Sequence, residues 1–163
     1  MRRLFTAIAV SALAVGLTVA PGAIGKAQTK QVASTVSLSA TPSTVSNATP
    51  SAISASGNVQ ANSSCRKNRA VSFSYVSSTG TVTPVGTPVV TGPNGDFSAS
   101  LPQPTDVGPT TVTLKATVAE TIRTKIIKGK NNGANKGKKK GKVQKRKFLC
   151  LSGEGTTPIT VNP

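Results

Sequence analysis

Positive charge is crowded into one stretch of this chain, KIIKGKNNGANKGKKKGKVQKRK, running from Lys125 to Lys147. Its basic residues are Lys125, Lys128, Lys130, Lys136, Lys138, Lys139, Lys140, Lys142, Lys145, Arg146 and Lys147, and it contains no acid. Nearly all are lysines spaced by Gly and Asn, which makes them mobile point charges. A rigid Arg fork for gripping single phosphates is almost absent, and so are aromatic rings on which bases could stack. The chemistry open to such a block is contact with an extended polyanion: a nucleic acid, an anionic wall polymer or an acidic lipid surface. Binding of that kind releases counterions, so it weakens steeply with salt and does not read sequence. Against an anionic membrane each cation contributes about 1 kcal/mol, screened within a Debye length. The competing reading makes the chain a structural or adhesive domain in which the block is only a solvated spacer.

Two cysteines are the other reactive groups. Cys65 and Cys150 are the only ones in the chain, an even, minimal count that reads as one disulfide in an exported protein. Two separate buried thiols are the alternative. A bridge would close a loop of 85 residues, worth about 4–5 kcal/mol on the chain-entropy model.

Other chemistry finds few candidates. The chain has no His, which removes the Ser-His-Asp and Cys-His nucleophile systems and most transition-metal sites. Its four acids, Asp96, Asp106, Glu120 and Glu154, include no close pair to serve as glycosidase carboxylates. Asp96, in Asn94-Gly95-Asp96, reads as a turn residue rather than a calcium ligand. The glycines of the basic block precede no GK[ST] and no helical pattern. Asn47-Ala48-Thr49 and Asn62-Ser63-Ser64 match a glycosylation sequon, a cheap pattern. The expectation is a protein that is not an enzyme, with no cofactor, no metal and no evident small-molecule substrate.

These residues need a scaffold, and the chain's start says where it is built. Met1-Arg2-Arg3 is followed by LFTAIAVSALAVGLTVA, Leu4 to Ala20 without a charge. This is the layout of a secretory signal peptide over residues 1–27, with Gly25 and Ala27 offering a cleavage site before Gln28. A retained anchor is the alternative, although the run is short and rich in Ala, Thr and Gly. Gln28 to Ser34 reads as a polar lead-in. After residue 27, only Lys30, Arg66, Lys67, Arg69, Lys115 and Arg123 lie outside the block. The expected location is secreted, extracellular or in the cell envelope.

Period-two alternation dominates the rest. Val36, Leu38 and Ala40 share one parity; so do Ile53, Ala55, Gly57, Val59 and Ala61; so do Val71, Phe73 and Tyr75. Phe97, Ala99 and Leu101 follow, then Val112, Leu114, Ala116 and Val118, and last Ile159 and Val161. Such runs are half-buried strands with one wet face. Thr41-Pro42, Ser78-Thr79-Gly80, Gly92-Pro93-Asn94-Gly95 and Val107-Gly108-Pro109 punctuate them, Asn94-Gly95 being a tight-turn signal. No helical period with caps occurs. The pattern predicts an all-β fold, an antiparallel β-sandwich of about seven strands. The basic block falls between the strand ending at Val118 and the strand Phe148–Leu151, so it reads as a long hairpin-loop insertion over 119–147. Val118, Ile122 and Ile126 share parity and could extend the ladder. The centre, NNGANKGKKKGK, carries too little apolar surface to order itself.

Several fragments together carry a resemblance: SLSATPSTV, Cys65 followed by RKNRAVSF, TGPNGDFSASL, VGPTTVTLKATV, and Cys150 in a late strand. In this order they resemble secreted bacterial sandwich domains of the Ig-like and carboxypeptidase-regulatory-like, transthyretin-like kind. Those have a Cys before an R-x-V strand, a D/N-G-x-F/W turn and a late Cys that closes the domain. The resemblance spans Val36 to Val161, and the chain differs in lacking Trp and in its basic insertion. It implies an Ig-like or transthyretin-like sandwich over 35–163, acting as a binding or scaffolding module with no catalytic residues.

Overall fold

The computed structural model describes residues 29–105, 109–128 and 143–163. The signal peptide expected over 1–27 and the disorder expected for the centre of the basic block both fall outside these residues. Within them the chain forms eleven β-strands and no helix. In chain order they are β1 (Lys30–Val32), β2 (Thr35–Thr41), β3 (Thr44–Ser46), β4 (Ile53–Gln60), β5 (Ala70–Val76) and β6 (Val82–Val90). There follow β7 (Asp96–Leu101), β8 (Thr110–Val118), β9 (Thr121–Lys128), β10 (Val143–Cys150) and β11 (Gly153–Asn162). The fold is all-β, as the alternation requires.

Two sheets enclose the core. One runs β3-β11-β8-β5-β6 and the other β2-β4-β7. The inward parity of each strand supplies the buried set: Val36 from β2, Ile53, Ala55 and Val59 from β4, Val71, Phe73 and Tyr75 from β5. Val45 from β3, Phe97 and Leu101 from β7, Val112, Leu114, Ala116 and Val118 from β8, and Ile159 and Val161 from β11 complete it. Burying each of the larger aliphatic side chains is worth about 1.5–3 kcal/mol. Phe73 of one sheet meets Phe97 of the other, ring centroids 6.0 Å apart. Phe97 lies opposite Gly57 in the β4–β7 register. A Cβ at Gly57 would stand 2.6 Å from the Phe97 ring and 2.0 Å from Ser37 O, so only glycine lets the ring lie there. The Asn94-Gly95 turn forms with Gly95 at φ +94°, where a side chain is strained. Asn58 Nδ2 donates to Asp96 Oδ1 at 2.7 Å, which makes Asp96 the turn residue its context suggested.

Four features depart from the sequence reading. The polar lead-in is partly structural, since β1 pairs in parallel with β10. β3 likewise runs parallel to β11, so the sheets are not wholly antiparallel. β6 was missed because Pro84 and Pro88 break its alternation. It is the last strand of its sheet, where prolines are tolerated, and its register against β5 shifts between Val71 and Phe73. The strand ending at Val118, β8, is not the hairpin partner of β10, because it pairs with β5 and β11; β10 pairs instead with β9. The described ends of the block, 125–128 and 143–147, lie on a third sheet, β1-β10-β9.

Tyr75 is the only tyrosine. Its hydroxyl donates to Pro102 O at 2.7 Å, and burial raises its pKa from the ordinary value to about 12. An unfolded tyrosine titrates near about 10, so between these values the native state holds a proton the unfolded state has released. The contribution of Tyr75 to stability is therefore complete below about pH 10 and is lost as pH rises through about 12. Alkaline titration of phenolate absorbance should give one transition near pH 12, accompanied by loss of stability. A midpoint near about 10 in protein still folded would contradict the burial.

Candidate polyanion interface

The basic block enters and leaves the described structure as a two-stranded ribbon. β9 and β10 pair antiparallel from Thr121↔Cys150 at the foot to Lys128↔Val143. Alternation sorts their side chains onto two faces. Arg123 and Lys125 share one face with Phe148 and Arg146, while Ile122, Thr124 and Ile126 share the other with Leu149, Lys147 and Lys145. Parity does continue from Val118 to Ile122 and Ile126, but burial does not. Val118 is fully buried, whereas Ile122 and Ile126 are 65% and 57% exposed, because the chain leaves the core sheet between β8 and β9.

Lys125, Lys145, Arg146 and Lys147 are exposed on this ribbon. Lys125 lies directly opposite Arg146 in the ladder, a like-charge pairing that costs stability unless something neutralises it. Among the described residues the one carboxylate ion pair is elsewhere, Lys115 with Glu154 at 2.7 Å. Lys128 ends β9, and Lys130, Lys136, Lys138, Lys139, Lys140 and Lys142 lie outside the described residues.

The foot of the ribbon is held by the expected disulfide and by two arginines, Arg69 and Arg123, to which the sequence reading assigned no role. Asn62 organises the preceding loop: its side-chain oxygen accepts from Ser64 N and Cys65 N at 3.0 Å each. Cys65 in that loop is bridged to Cys150 at the end of β10, with Cα atoms 5.4 Å apart. Beside the bridge lies Arg69, only 2% exposed. Its Nη1 donates to Cys65 O at 2.9 Å, and its Nη2 donates to Ala119 O at 2.6 Å and Leu151 O at 3.2 Å. One guanidinium thus ties together the loop, the β8–β9 link and the residue after β10. All these acceptors are neutral. Its pKa is lowered, first by burial and then by the neighbouring positive charge of Arg123. Arg123 itself donates from Nη2 to the carbonyls of Lys67 and Asn68. Folding therefore collects Arg69 and Arg123, with the loop carrying Arg66 and Lys67, at one end of the basic ribbon.

Among the described residues no group of three His, Cys, Asp or Glu could hold a metal ion, and no helix is long and apolar enough to cross a membrane. No protein-family model, curated protein or solved structure matches the chain.

Proposed function

We propose that this protein is a non-enzymatic β-sandwich module of Ig-like or transthyretin-like type that binds extended polyanions through its basic hairpin. The observation that carries the reading is the uncompensated Lys125–Arg146 pair on a ribbon standing outside the two core sheets. A pairing that is unfavourable in isolation becomes favourable when a chain of negative groups runs along it. The remaining lysines of the block multiply the same interaction without requiring fixed positions. Disulfides persist in oxidising compartments, so the Cys65–Cys150 bridge supports an oxidising, extracytoplasmic setting. The partner is then an anionic wall polymer, a nucleic acid or an acidic surface met outside the cytoplasm.

Salt tests this directly. With about six phosphate contacts on duplex DNA, log affinity should fall against log salt with a slope of about −5, near −0.9 per contact. Wall polymers should show the same sense of dependence. Retention on DNA, heparin and isolated envelopes that is absent at low salt would overturn the reading.

A further inference from the structure

A cleft of about 280 Å³ opens at the foot of the ribbon, walled by Ser63, Ser64, Lys67, Arg123, Thr124 and Lys125. Three of these six residues are cationic and none is acidic. Lys67 comes from the loop that the disulfide anchors, and Arg123 and Lys125 come from β9, so the charges converge from two segments. Arg123 is held in place, since its Nη2 is spent on the Lys67 and Asn68 carbonyls. Its Nε is buried and donates to no protein atom. With that N–H closed off, the guanidinium acts on the cleft through its charge, and charge-assisted hydrogen bonds to an anion there fall to the exposed Lys67 and Lys125 ammonium groups. Arg69 adds a further positive charge close enough to Arg123 to depress its own pKa. The foot of the ribbon thus gathers several positive charges; Glu120 lines a neighbouring cleft with Arg69 and Arg123, but among the described residues the one ion pair is Lys115 with Glu154.

We infer that this cleft is a discrete binding site for one tetrahedral oxyanion, a phosphate or sulfate group. Cations converging from two segments suit oxygens that point in several directions better than they suit a planar carboxylate. The inference rests on the polyanion reading only for the polymer that carries the group. On that reading the lysines of the block gather the polymer without fixed register, and the cleft seats one of its anionic groups.

The test is an NMR titration at constant ionic strength with inorganic phosphate, sulfate and, for comparison, chloride. Phosphate or sulfate should shift the amides of Ser63, Ser64, Lys67, Thr124 and Lys125 in a saturable way, while chloride should not. Lys67→Ala and Lys125→Ala, both changes at exposed positions, should each weaken binding roughly tenfold, the loss of one charge-assisted contact. Glycerol phosphate and a sulfated disaccharide, titrated separately, distinguish a phosphate-bearing from a sulfate-bearing source by which saturates at lower concentration. The same titration on a chain in which a two-residue turn replaces 129–142 separates the two readings. Saturable shifts in that chain support the cleft whether or not polymer binding survives. If heparin or DNA is retained but neither anion gives saturable shifts, the cleft is overturned and the polyanion reading stands. If the anions saturate but no polymer is retained even by the full chain, the polyanion reading falls and the cleft stands as a site for a small anion.

Discussion

Replacing residues 129–142 by a two-residue Asn-Gly turn should abolish most polyanion retention while leaving the fold intact. Lys128 and Val143 are the last paired positions of the β9–β10 ladder. A type I′ turn of two residues is the connection that joins antiparallel neighbours at such a point with the right twist. Nothing in the two core sheets is touched, and the ribbon keeps its register, so thermal stability should stay within a few degrees. The excision removes six lysines, Lys130, Lys136, Lys138, Lys139, Lys140 and Lys142. If each meets a phosphate of duplex DNA, the salt slope flattens by about 5, and at low salt the affinity falls by roughly a thousandfold. The measurement is binding to duplex DNA across a salt series, with calorimetry on both chains. An unchanged slope would show that the excised lysines are a solvated spacer. Binding would then belong to the cations fixed on the ribbon and at its foot.

What the sequence disclosed and what it hid follow from how local each signal is. Val112, Leu114, Ala116 and Val118 announce β8 because a half-buried strand stamps period two on consecutive residues. β6 carries no such stamp. As the last strand of its sheet it needs neither an apolar face nor a full set of N–H donors, so Pro84, Gly86 and Pro88 are allowed and the pattern dissolves. β1 is three residues long and is a strand only because β10 lies alongside it. The cysteine pairing was legible because two cysteines have one way to join. The foot of the ribbon was not. Arg123 and the Lys67 carbonyl it binds are 56 positions apart, and Arg69 reaches Leu151 across 82. In a linear reading these arginines are ordinary surface charges. Only the convergence of three chain segments makes one of them buried and the other a wall of a cleft. Even so, RKNRAVSF held a usable signal: three cations within the five residues after a bridged cysteine, in a stretch containing no acid.

Loss of the disulfide should be the most costly small change in the molecule. The bridge spans 85 positions, and chain entropy puts its contribution at about 4–5 kcal/mol against a typical total of about 5–15 kcal/mol for a domain. A Cys65→Ala/Cys150→Ala protein should therefore melt about 10–20 °C lower. The effect has a local part as well. Both cysteines are fully buried, and the Arg69 fork grips Cys65 O on one side of the bridge and Leu151 O just past the other. Freed of the bridge, the loop around Cys65 and the foot of β10 can separate, and Arg69 then loses acceptors it needs for a charge buried without a counterion. Amide exchange should accelerate first in residues 62–69 and 146–151, while β4, β5 and β8 keep their protection until global unfolding. Uniform acceleration would mean that the bridge acts only on the unfolded chain. A double variant within about 1 kcal/mol of the parent would contradict the chain-entropy figure and assign the hold on the ribbon to Arg69 and the β1–β10 pairing instead.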